Sequence, residues 1–264
     1  MGDTNQALTR EITIENTLRR LVAEQRAELN NSGFHDIPSD GEKMFEWFKT
    51  TKEFNELYNQ ALKYNLLPCT DQRINELITA FAGRLYQDMA YAFLAGKRLS
   101  HLITVLSPEK TLEFYILLYH ENKKYENLLG LDSLEGISVP DGILTINRNG
   151  REHILSVCEY TLTGVERYFR RKYDSFNINL ENNPQILSHA SIVFEVPKDV
   201  KLPSYLEKKD KIKMQKMPFT RRQFGNFVRR DYGEYPPDED CATLDDIQSR
   251  ARKQLERGIG YQIT

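Results

Sequence analysis

The sequence predicts an α/β protein: a mixed sheet flanked by helices, with an N-terminal helical region before it and a C-terminal helix after it. Three observations lead there. Apolar residues recur at helical spacing through the first hundred positions, residues 142–160 read as two strands around an Asn-Gly turn, and short apolar strands alternate with helical stretches beyond them. Apolar residues at 40%, aromatics at 11% and a formal net charge of -2 over 264 residues suit a chain that buries a core.

Residues 7–32 carry Ile12, Leu18, Leu21 and Val22 at helical spacing and run into Asn30-Asn31-Ser32-Gly33, where a helix should stop. A second helix is expected over 43–64, closed by Pro68, and the two make up an N-terminal region spanning 1–68. From Asp71, the stripe Ile74, Leu77, Ile78, Phe81, Leu85, Met89 and Phe93 predicts a long buried helix with Gly96 just past its end. Ser107-Pro108 offers a cap and a first-turn proline to the next segment, whose β-branched and aromatic first half would also suit a strand. Both readings stay open.

The hairpin VPDGILTINRNGREHILSVCEYT follows at 139–161. Thr163-Gly164-Val165-Glu166 then reads as a capping box for a helix whose packing face is Val165, Tyr168, Phe169 and Lys172 or Tyr173. ASIVFEVP predicts a buried strand, KIKMQKM another, and TRRQFGNFVRR a helix capped by Thr220, which completes a core spanning 69–232. An acidic linker and a last helix from Thr243 to Gly258 occupy 233–264.

Cys69, Cys158 and Cys241 are widely spaced and form no C-x-x-C pattern, so reduced, structural thiols are expected. No basic-then-apolar leader opens the sequence and no apolar run approaches the roughly 20 residues that cross a bilayer, which predicts a cytoplasmic protein without membrane attachment. Residues 201–230 hold ten Lys/Arg against Glu207 and Asp210, whereas 231–246 holds seven Asp/Glu and no Lys or Arg. The basic part can contact a polyanion or be neutralised by its acidic neighbour. No P-loop, G-x-S-x-G or H-E-x-x-H pattern is present.

Asp141 enters the first hairpin strand and Glu159 leaves the second. Two carboxylates on one sheet face, with waters and a substrate phosphate, suffice for magnesium. The turn decides whether they share a face. A type I′ turn at Asn149-Gly150 sets Asp141 opposite Cys158 and separates the acids, unless a local bend rescues them. A type I turn at Arg148-Asn149 with Gly150 in a bulge sets Asp141 opposite Val157, with Glu159 its diagonal neighbour at roughly 7 Å. Both strands are apolar on both faces, so periodicity does not choose. We expect the bulged turn, with Gly150 left-handed.

These residues resemble the PD-(D/E)xK nuclease superfamily, whose restriction-endonuclease-like core runs helix, strands, helix, strand. The match covers residues 71–230, with Pro140-Asp141 as the PD pair, Glu159-Tyr160-Thr161 as the acid-x-Lys tripeptide, Thr163–Tyr173 as the next helix and IVFEVP as the next strand. The resemblance implies a DNA endonuclease that hydrolyses phosphodiesters with Mg2+ or Mn2+ bound by Asp141, Glu159 and the Tyr160 carbonyl. Thr161 takes the catalytic position where the family has lysine, and loss of such a preorganised group removes about 100- to 1,000-fold in rate. Lys172 and Lys198 are candidates to replace that charge, each set against the reading of an ordinary surface lysine. Members often carry an acid on the first helix, and Glu76, Gln87 or Asp88 would occupy that place. Gln87 and Tyr91 imitate the Q-x-x-x-Y element of RecB-like nucleases but precede the tripeptide instead of following it.

The implied partner is nucleic acid, DNA before RNA, with Lys211, Lys213, Arg221 and Arg222 at its phosphates; a homodimer or a protein partner stays open. His153 and His189 read as loop or strand histidines and Trp47 as core. Two rival functions remain: a nuclease-fold protein that binds nucleic acid or a partner without catalysis, and a mainly helical interaction protein in which the hairpin is incidental.

Overall fold

The computed structural model describes residues 2–32, 34, 37–63, 72–98, 102–129, 139–182, 187 and 189–232. The elements run α1 (Gly2–Asn31), α2 (Gly41–Phe48), α3 (Lys52–Lys63), α4 (Gln72–Arg98), β1 (Ile103–Leu106) and α5 (Pro108–Leu129), then β2 (Gly142–Arg148), β3 (Arg151–Tyr160), α6 (Glu166–Asn182), β4 (Ser191–Val196), α7 (Ser204–Glu207), β5 (Ile212–Lys216) and α8 (Arg221–Tyr232). The fold is mixed α/β. A five-stranded sheet in the order β1-β2-β3-β4-β5 pairs β1, β2 and β3 antiparallel and β3, β4 and β5 parallel. A sheet containing both hairpin strands and β4 removes the mainly helical alternative.

Alternation along the strands builds a core on each face. Leu144, Cys158, Tyr160 and Val193 pack beneath Leu85, Tyr86, Met89 and Phe93 of α4, joined by aromatic side chains of α2, α3 and α8. Ile143, Val157, Ile192 and Phe194 face the other way, against Leu21 and Val22 of α1, Phe114 of α5 and Phe169 of α6. The N-terminal helices therefore share both cores with the sheet.

The structure corrects several expectations. The helix foreseen over 43–64 is broken into α2 and α3, because Asp40 caps α2 while the Thr51 hydroxyl accepts from the Phe54 N–H and starts α3. Gly96 lies inside α4 rather than past its end; a Cβ there would sit 2.1 Å from Ile37 Cδ1, so the glycine admits close packing. The open segment after Ser107 is helical, and β1 was not foreseen. Thr163 makes no capping box, since its hydroxyl accepts from Val165 N and α6 begins at Glu166. Thr220 does cap α8, with Gln223 returning the bond to the Thr220 N–H. Pro68, the acidic linker beyond Tyr232 and the helix expected from Thr243 to Gly258 lie outside the described residues.

The hairpin turn also differs from expectation. Arg148 pairs with Arg151, and Asn149 (φ 53°) and Gly150 (φ 74°) are both left-handed, so the turn is type I′. The extra residue lies further along, where Leu144 pairs with Ser156 but Thr145 with Ile154, leaving Leu155 as a bulge in β3. A Cβ on Gly150 would touch nothing within 4 Å, so Gly150→Ala should lose only the left-handed preference, about 1 kcal/mol in urea denaturation. A loss several times larger would show contacts that this geometry lacks.

Candidate metal centre

Asp141 stands just before β2 and Glu159 lies near the end of β3, at the same end of the hairpin. Gly142 pairs with Cys158 and Ile143 with Val157, and the charges of both Asp141 and Glu159 act on Tyr168 and Lys172 of α6.

Asp141 is fixed at three points. Its N–H donates to the Cys158 carbonyl at 2.9 Å, Oδ2 accepts from the Tyr160 N–H at 2.8 Å, and Oδ1 accepts from Gln87 Nε2 of α4 at 2.9 Å. Of the first-helix candidates, Gln87 is the one bonded to Asp141, and it brings an amide rather than an acid. Asp88 turns away, paired with Arg84 at 3.0 Å, and burial raises its pKa to about 7 despite that arginine. Tyr91 accepts from Gln25 in the core, so Gln87 and Tyr91 do not act as a pair at the site. The side chain of Glu76 lies outside the described residues.

Glu159 is 4% exposed and meets Lys172 of α6, whose Nζ lies 2.7 Å from Oε2. Lys172 is no surface lysine: it shares the inner face of α6 with Tyr168, Phe169 and Phe176. Burial opposes its charge, but the pull of Glu159, Tyr168 and Asp141 outweighs burial and raises its pKa. Thr161 is buried beside them, with its hydroxyl accepting from the Thr163 N–H and within hydrogen-bond reach of Tyr168. Sequence reading placed Tyr168 only on a packing face and did not single out Tyr115 of α5, which lines a small pocket with Glu159 and Lys172.

The remaining candidates are elsewhere. Lys198 is exposed after β4; its N–H donates to the Phe219 carbonyl. Lys211 and Lys213 lie at the start of β5 and Arg221 and Arg222 at the start of α8, beyond the strand's other end; β5 is separated from β3 by β4, and Arg221 is held by Asp199 at 2.9 Å. His153 and His189 are exposed and Trp47 packs against the core. Cys158 is a buried free thiol; Cys69 and Cys241 lie outside the described residues. No described helix is long and apolar enough to cross a membrane.

No group of three or more His, Cys, Asp and Glu side chains converges for a metal among the described residues. An ion at Asp141 and Glu159 would therefore complete its shell from backbone, water and phosphate oxygen, as magnesium commonly does. The donor set fits: both ligands are hard oxygens, and one lysine against two carboxylates leaves net negative charge.

Comparison with protein-family profiles, curated proteins and solved structures returned no match.

Proposed function

We propose that this chain is a divalent-metal-dependent endonuclease acting on DNA, with a restriction-endonuclease-like core, in which Lys172 supplies the charge absent at Thr161. The observation that carries this reading is the buried contact of Lys172 Nζ with Glu159 at 2.7 Å, beside Asp141. A cation reaching the carboxylate pair from the following helix can do the electrostatic work of one two residues along the strand.

Magnesium or manganese held by Asp141 and Glu159 would supply Lewis-acid polarisation of the scissile phosphate. The protein's own groups do the rest. Gln87 and the Tyr160 N–H orient the Asp141 carboxylate, and the Lys172 ammonium, preorganised in a buried setting, stabilises negative charge gathering on the phosphate. Thr161 and Tyr168 offer hydroxyls at the same rim. The basic residues around β5 and α8 would meet backbone phosphates further along a duplex.

Incubation of plasmid DNA with Mg2+ or Mn2+ and with chelator tests the reading. Wild type should nick the plasmid only with metal, and Glu159→Ala should lose at least 100-fold in rate. Metal binding without cleavage would favour the non-catalytic nuclease-fold protein instead. Cleavage unaffected by Glu159→Ala would remove the site.

A further inference from the structure

The parallel strands β3, β4 and β5 end side by side. Tyr160 pairs with Glu195 and Val196 with Lys216, and the Thr161 N–H donates to the Glu195 carbonyl at 3.1 Å. Neighbouring strands stand about 5 Å apart, so the ends of β4 and β5 lie about 5 and 10 Å along the sheet from the end of β3. There Glu159 meets Lys172. In open α/β sheets ligands bind outside the carboxyl ends of the parallel strands.

The rim at that end is basic. Lys198 and Lys201 are exposed just after β4, Lys216 closes β5, and Arg222 is exposed in the first turn of α8. The two segments that carry them are tied together: the Lys198 N–H donates to the Phe219 carbonyl at 2.9 Å, the Met217 N–H to the Val196 carbonyl at 2.8 Å, and Lys216 Nζ to the Val200 carbonyl. The exposed acid among them, Asp199, is engaged by Arg221, accepting from its backbone N–H and from Nε at 2.9 Å each. None of the exposed large apolar side chains among the described residues falls within 197–201 or 216–222, so the rim lacks anchors for a bilayer or for the apolar centre of a protein interface.

We propose that Lys198, Lys201, Lys216 and Arg222 form the surface that receives the phosphate backbone of duplex DNA, across the carboxyl ends of β5 and β4 and toward the carboxylate at the end of β3. The inference takes DNA as the polyanion from the proposed function. It assigns the phosphate contacts to this end of the sheet in place of Lys211 and Lys213, which stand at the opposite end of β5. A duplex carries one negative charge per about 1.7 Å of its axis, so a rim of this reach faces several phosphates.

Fluorescence anisotropy of a labelled duplex, titrated with the full chain in chelator across a range of salt concentrations, tests the surface. Lys198→Ala/Lys201→Ala should weaken binding about 10-fold or more and lower the slope of log affinity against log salt by about 2, because each lost phosphate contact releases roughly 0.9 fewer counterions. Arg222→Ala should lower it by about 1. These side chains are exposed, so the variants keep the fold; Lys216 is left intact because it holds the Val200 carbonyl. Lys211→Ala/Lys213→Ala should change neither affinity nor slope. Equal losses from the two lysine pairs would mean diffuse attraction and overturn the surface, as would preferential binding to vesicles of anionic lipid. Chelator keeps cleavage out of the measurement. Duplex binding through this rim without metal-dependent nicking of plasmid would uphold the surface and overturn the endonuclease reading, whereas nicking with unchanged affinity in Lys198→Ala/Lys201→Ala would overturn the surface alone.

Discussion

Lys172→Met should separate metal binding from catalysis, tightening Mn2+ affinity while lowering the rate of DNA cleavage about 100- to 1,000-fold. The two effects have one cause. The ammonium lies 2.7 Å from the Glu159 carboxylate; under the proposed function it would compete with the ion for that charge in the resting site and stabilise the phosphate in the loaded one. Methionine keeps the length and packing of the side chain against Tyr168 and loses only the cation. Removing one partner of a buried pair destabilises by about 3 kcal/mol or more, so rates are to be compared at saturating Mn2+, where the ion replaces the lost charge. Thr161→Lys completes the test. In the wild type it should add little, because the position is served from α6. In the Lys172→Met background it should recover part of the rate, since residue 161 lies two positions beyond Glu159 on the same face. Cleavage unchanged in Lys172→Met would deny the lysine a catalytic role.

The sequence made the hairpin, β4, β5 and the order of elements from α4 legible, because strand lengths, turn residues and apolar runs are local signals. It did not show β1, whose four residues sit between a long helix and Pro108 and gain strand character only by pairing with β2. The break between α2 and α3 depends on a Thr51 hydroxyl that reads equally well within a helix. The turn was misjudged for a physical reason: β2 and β3 are apolar on both faces, so no alternation marks a register, and the Leu155 bulge carries no glycine or proline to announce it. The two acids were singled out from sequence, and the bulge that resets the register between their strands left no signal there. Lys172 did leave a signal. It falls on the same helical face as Tyr168, Phe169 and Phe176, where a lysine has to find a buried anion. Tyr115 left none, since an aromatic residue in an apolar helix is indistinguishable from core packing.

Glu195→Gln should stabilise the protein at neutral and alkaline pH and flatten the pH dependence of its stability. Glu195 is fully buried on the α4 face of β4, with both carboxylate oxygens lacking a hydrogen-bond partner. Its surroundings are Cys158 and Tyr160 on β3 and Tyr86, Lys97 and Arg98 on α4. Burial raises its pKa from 4.5 to about 8, and the two basic side chains offset only part of that rise. Between these values the unfolded chain releases the proton and the folded one keeps it, so stability falls as pH rises through the window and levels off above it. Each pH unit there amounts to about 1.4 kcal/mol, so by pH 7 the wild type has lost roughly 3 kcal/mol relative to the acid edge. An amide does not titrate and escapes this loss. Urea denaturation of both proteins at pH 5 and pH 8 isolates the effect, because every other titrating group is common to the pair. The variant's advantage should grow across that interval by a few kcal/mol, and parallel profiles would mean that Glu195 is already ionised in the folded protein, with Lys97 and Arg98 compensating for its burial.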